Sequence, residues 1–168
     1  IQKIGSGLPR CHPDLVSSQQ NYYGSVVFDI CEFPHINPKQ IVEVGIRSIE
    51  PEERRNLKNK KIKSFTALDL SEQGVLKIFS KIKRIVGRTP THLSIDLDVI
   101  DPAFAPGVDM PAPFGLTSNE YLSLIKQCAK KLNLVGLGIM EMSPRYDIQQ
   151  RTAQLAAKSI VEIVGSKK

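Results

Sequence analysis

Apolar positions along this chain follow two alternating rhythms. Short, β-branched or continuously apolar runs at residues 40–46, 62–68, 92–98 and 133–142 read as strands. Between them the spacing lengthens to that of a helix. Residues 49–60 predict a helix that tolerates Pro51 in its first turn. Ser71 is placed to cap a second, whose Val75, Leu76, Ile78, Phe79, Ile82, Ile85 and Val86 recur near every 3.6 residues and which ends at Gly87. Thr117-Ser-Asn-Glu120 has capping-box spacing and opens a third, running to about Leu132. Residues 149–164 close the chain as an amphipathic helix. Four strands alternating with four helices predict an α/β fold: a parallel sheet with helices packed on its faces.

One stretch breaks the alternation. Residues 99–116 hold Pro102, Pro106, Gly107, Pro111, Pro113 and Gly115. A loop this long inside a compact domain usually marks function. No repeat and no linker divides the chain, so residues 1–168 read as a single domain.

Composition adds exclusions. At 168 residues, 41% hydrophobic and 24% charged, the chain can bury a real core, which excludes disordered, collagenous and disulfide-scaffold classes. No apolar run approaches the ~18 residues of a membrane span, so no membrane partner is expected. The net charge of +6 is local: Arg54, Arg55, Lys58, Lys60, Lys61 and Lys63 cluster on one predicted helix and its exit. No aromatic residues interleave them, so they read as a solvated helix face and no nucleic-acid partner is expected. Cys11, Cys31 and Cys128 are scattered without metal spacing; they read as small core or surface residues in a reducing cytoplasm.

The third strand carries the chemistry. It runs Ser94-Ile-Asp-Leu-Asp-Val-Ile-Asp101-Pro, directly into the long loop. Ligands of parallel sheets bind at the carboxyl ends of strands. Alternation along a strand would point Asp96 and Asp98 the same way. Two such carboxylates repel each other unless protonated or holding a cation, so the pair predicts a hard-cation site.

The fourteen residues from Ser94 to Gly107, Ser-Ile-Asp-Leu-Asp-Val-Ile-Asp-Pro-Ala-Phe-Ala-Pro-Gly, closely resemble the signature of the ureohydrolases: agmatinase, arginase and formimidoylglutamase. Val42-Glu-Val-Gly-Ile-Arg-Ser48, Met140-Glu-Met-Ser-Pro144 and Arg151-Thr-Ala-Gln-Leu-Ala-Ala157 are similar to further family segments. The resemblance implies an arginase-like three-layer α/β/α fold and a binuclear Mn²⁺ centre that hydrolyses guanidino or amidine C–N bonds. It implies that Asp96 bridges two ions, that Asp98 binds one, and that Glu141 holds the substrate guanidinium. A divalent ion would supply hydroxide near neutral pH by lowering the pKa of its water. Agmatine is the preferred substrate, with urea as product; arginase or formimidoylglutamase specificity is the alternative. A homo-oligomer is expected.

Upstream the chain departs from that pattern. Arg10-Cys-His-Pro-Asp14 stands where the family has D-A-H-x-D. His12 and Asp14 match ligand positions, but Arg10 replaces a bridging aspartate, and a guanidinium there would repel both cations. Tyr23, in Asn21-Tyr-Tyr-Gly24, stands where the family has a histidine within Ser-His-Gly. No Gly-Gly-x-His segment precedes these residues. The sequence therefore reads as a partial ureohydrolase lacking its N-terminal strands. One ion or none is expected at its site, residues 1–12 are expected to be poorly ordered, and those before Arg10 are not expected to form a strand. The competing reading is a non-catalytic homologue. His35 and His92 are assigned no ligand role, Asp101 is expected to organise the loop backbone, and Asp109 is given no role in the site.

Overall fold

Apolar strands and amphipathic helices assemble into a parallel sheet between two helical layers in the computed structural model, which describes residues 5–9, 11–18 and 23–166, with 5–9 and 23 by backbone alone. The strands are β1 (Gly5–Pro9), β2 (Val42–Ile46), β3 (Lys63–Thr66), β4 (Thr91–Asp96) and β5 (Leu134–Met140). They lie in the order β3-β2-β1-β4-β5, and every pairing is parallel. The helices are α1 (Val26–Ile30), α2 (Pro51–Lys60), α3 (Ala67–Gln73), α4 (Val75–Val86), α5 (Ser118–Lys131) and α6 (Arg151–Gly165).

Two expectations are corrected here. Gly5–Pro9 forms the central strand, although the residues before Arg10 read as no strand at all. Gly-Ser-Gly-Leu-Pro has no β-branched run to detect. Its pairing comes from β2 on one side and β4 on the other, which override a weak local preference. Of the residues expected to be poorly ordered, 1–4 and Arg10 lie outside the described ones. Second, the strand read at 62–68 stops at Thr66, and Ser71 caps nothing. Thr66 Oγ1 accepts the Asp69 N–H at 3.0 Å while Asp69 returns the bond to the Thr66 N–H at 2.8 Å, so a capping box starts α3 early. Gly74, at φ +79°, then separates α3 from α4.

Strand alternation divides the core in two. Val42 and Val44 of β2, with Leu93 and Ile95 of β4, face a large core filled by Ile78, Phe79 and Ile82 of α4 and Tyr121, Leu124 and Ile125 of α5. Ile41 and Ile46 face a smaller core with Val27 of α1 and Leu57 of α2. Gly45, at φ +88° where the β2–β3 register shifts, is the bulge that returns Ile46 to this second face. The basic cluster decorates the solvent side of α2 and its exit, as read from sequence: Arg54, Arg55, Lys58, Lys61 and Lys63 are exposed. No helix among the described residues is long and apolar enough to cross a membrane.

From β1 the chain winds outward through β2 to β3, then returns across β1 to β4 and β5. The connection reverses between β1 and β4. The crevice at the carboxyl ends of these two strands is where such sheets bind ligands.

Candidate metal and substrate site

The crevice is a cleft of about 270 Å³, and all five residues singled out from the sequence line it. His12 and Asp14 follow β1, Asp96 and Asp98 end β4, and Glu141 follows β5. Three neighbouring strand ends thus supply one site.

The carboxylates converge by a different route from simple strand alternation. β4 ends at Asp96, and Leu97–Val99 is a 3-10 turn. Asp96 caps that turn, its carboxylate accepting the Asp98 N–H at 3.1 Å. Asp98 Oδ1 in turn accepts the backbone N–H of Cys11 at 2.9 Å, tying the end of β4 to the segment after β1. Both carboxylates are nearly buried, at 8% and 4% exposure. Burying two acids this closely is costly unless bonded donors or a cation compensate.

The first two turns of α2 hold the segment that carries His12 and Asp14. Glu53 accepts the Leu15 N–H at 3.4 Å, Asn56 donates to the Leu15 carbonyl at 2.6 Å, and Glu52 accepts both the N–H and the hydroxyl of Ser17. The Ser17 hydroxyl and then its N–H hold the Glu52 carboxyl below its usual value. The Cys11 carbonyl accepts from Arg47 N and Ser48 N, each at 3.2 Å. Asp14 itself takes a left-handed φ of 49°, turning the chain sharply between the cleft and α1.

Sequence reasoning missed three contributors. Glu50 and Glu53 also line the cleft, so six carboxylates (Asp14, Glu50, Glu53, Asp96, Asp98 and Glu141) face it beside one imidazole. In the sequence Glu50 and Glu53 are unremarked positions of the helix predicted over 49–60. Within a chain of net charge +6 the cleft is therefore a local concentration of acidic groups. Cys11, set aside for want of metal spacing, places its sulfur in a group with His12 and Asp98 whose ligand atoms all lie within 4.8 Å of one another. Burial, and then the Asp98 charge, push its thiol up to about 12.

His35, His92, Asp101 and Asp109 do not line the cleft. His35 is exposed, and His92 packs beside Gly136 and Gly138 on the strand before the cleft. Asp101 organises the long loop, accepting from Ala103 N at 2.9 Å and Gly115 N at 3.0 Å. Asp109 accepts the Ser143 hydroxyl at 2.8 Å. Arg10 lies outside the described residues, as does the side chain of Tyr23.

A model of the arginase family matches residues 11–165. The chain belongs to the arginase family. An agmatinase from an Enterobacter species is 36% identical over 149 residues, covering 80% of this chain and 45% of that protein. Among solved structures, proclavaminate amidino hydrolase from Streptomyces clavuligerus superposes with a TM-score of 0.89 at 32% identity, over 98% of this chain and 56% of that one. A hypothetical agmatinase from Burkholderia thailandensis gives a TM-score of 0.89 at 27% identity, over 99% and 51%. The chain thus spans about half the length of the relatives it matches, and its architecture is a partial arginase-like α/β fold. Arginase-family enzymes are metal-dependent hydrolases. The donors gathered here, imidazole and carboxylate, are of the kind that divalent cations take.

Proposed function

We propose that this protein is a metal-dependent amidinohydrolase acting on a small guanidino substrate, agmatine-like, with urea as product. The observation that carries this reading is the convergence of His12, Asp14, Asp96 and Asp98 with Glu141 around one acidic cleft at the reversal of the sheet. Asp96 and Asp98, fixed by the turn and by Cys11 N–H, would hold the ion together with His12 and Asp14. Manganese is the ion implied by the family resemblance. When bound it supplies hydroxide near neutral pH. Glu141, exposed at the cleft mouth and set by a left-handed φ of 63°, offers its two oxygens to a planar guanidinium. Substrate binding then sums a charge-assisted pair at Glu141 with the acidic field of the cleft.

A second reading, a non-catalytic homologue, is favoured by Arg10 at the place of a bridging aspartate. One experiment separates the two. Urea release from agmatine and arginine, and formamide release from formimidoylglutamate, are measured with the metal-loaded chain, and agmatine binding by calorimetry alongside. Release that prefers agmatine and disappears in Asp96→Ala supports the enzyme. Glu141→Gln is expected to weaken agmatine binding by roughly tenfold, the scale of one charged pair. Binding that depends on Glu141 without urea release supports the homologue.

A further inference from the structure

The family motif has a donorless alanine where this chain has Cys11, and the fold brings that sulfur to the cleft's histidine and aspartate. We propose that Cys11, His12 and Asp98 form a mixed sulfur, nitrogen and oxygen site that takes one borderline divalent cation, Zn²⁺ or Co²⁺, in preference to Mn²⁺. The inference rests on the metal-dependent reading above and names the ion that this chain's own residues select.

Three features carry it. The ligand atoms of the three residues lie within 4.8 Å of one another, a spacing that a small inward shift of side chains closes onto one ion. The Cys11 backbone is already tied to the Asp98 side chain, because Cys11 N–H donates to Asp98 Oδ1 at 2.9 Å. Hydrogen bonds of this kind to a metal-binding carboxylate orient it toward the ion. Cys11 is also fully buried, which excludes bulk water from its side of the ion. Thiolate is a soft donor: it favours zinc and cobalt, whereas manganese prefers oxygen. Binding exchanges the thiol proton for the ion, the proton leaving to solvent. Three protein donors leave one position of a tetrahedral set open, the pattern of catalytic rather than structural zinc.

The test is a Co²⁺ titration of the chain followed by absorbance, with Zn²⁺ and Mn²⁺ as competitors. A thiolate-to-cobalt charge-transfer band in the near ultraviolet is expected, bleached by Zn²⁺ and resistant to equimolar Mn²⁺. Cys11→Ala and His12→Ala should each lose it, while Cys31→Ala and Cys128→Ala should keep it. Cys11→Ala should weaken Zn²⁺ binding by at least about tenfold, the scale known for loss of even an outer partner, and leave Mn²⁺ binding unchanged. Circular dichroism of each variant controls for folding, and the band in the unaltered chain is a readout that needs no variant. Cobalt bound without the band, or a band that survives Cys11→Ala, overturns the proposal. Asp96-dependent Mn²⁺ binding without any thiolate signal overturns it too, yet leaves the amidinohydrolase reading standing. Absence of binding by all three ions overturns both.

Discussion

The guanidinium of Arg47 donates to the backbone carbonyl of Asp98, joining the end of β2 to the turn that presents the cleft's carboxylates. The same group reaches the carbonyls of Val99 at 3.3 Å, Ala112 at 2.8 Å and Pro113 at 3.1 Å. One planar fork therefore pins both ends of the long loop, a task for which its fixed donor geometry is suited.

Arg47→Ala is expected to destabilise the chain by about 2–3 kcal/mol, because charged donors to several part-buried carbonyls disappear together. Arg47→Lys should recover less than half of that, since one ammonium cannot span the same acceptors. Denaturant midpoints measure both. Equal stability of the lysine variant and the parent would show that charge alone matters here.

Gly115 has no room for a side chain. A Cβ there would stand 2.4 Å from the Asp101 backbone nitrogen and 2.6 Å from the Ile100 carbonyl carbon. Gly115→Ala should cost roughly 1–3 kcal/mol by overpacking against backbone. Gly165→Ala, with nothing within 4 Å at the end of α6, should be neutral or slightly stabilising. Thermal unfolding of the pair checks the contrast; similar melting temperatures would refute it.

Asp147 supplies the start of α6, accepting the N–H groups of Thr152 and Ala153 at 3.0 Å each. Partial burial pushes its carboxyl up, but these donors, with Arg151 nearby, outweigh burial and hold it below the ordinary value. A carboxyl lowered on folding adds stability above its unfolded pKa of about 3.9 and loses it as pH falls through the folded value. Asp147→Asn should therefore cost about 0.5–1 kcal/mol at pH 7, near the low end of capping effects because solvent screens the site. The difference from the parent should shrink as pH falls through 4. A pH-independent difference would assign the effect to packing.

β5 pairs with β4 alone among the described residues, and Val135 is 56% exposed along it. An open, apolar edge in a parallel sheet is a template for pairing. We expect the chain to self-associate through this edge, and Val135→Lys to raise the association midpoint about tenfold, ~1.4 kcal/mol. Size-exclusion chromatography with light scattering over a concentration series reads it. A monomer at every concentration would remove the idea.

The sequence by itself determined the alternation of strands and helices, the boundaries set by Thr117, Gly87 and the proline-rich loop, and the kinship announced by Ser94 to Gly107. These are local signals: periodicity, capping chemistry and a contiguous motif act over a few residues, so a linear reading captures them. Only the tertiary structure decided that Gly5–Pro9 is the central strand, since its pairing energy comes from β2 and β4 and not from its own residues. The same holds for the cleft. Asp98 turns on a 3-10 turn and is held by a donor 87 residues away. Glu50 and Glu53 draw no notice in the sequence until α2 is docked beside the segment after β1, and Cys11 shows its donor neighbours only when the ends of β1 and β4 meet. Contacts between residues far apart in the chain depend on packing that no local pattern encodes, and this site is built almost wholly of such contacts.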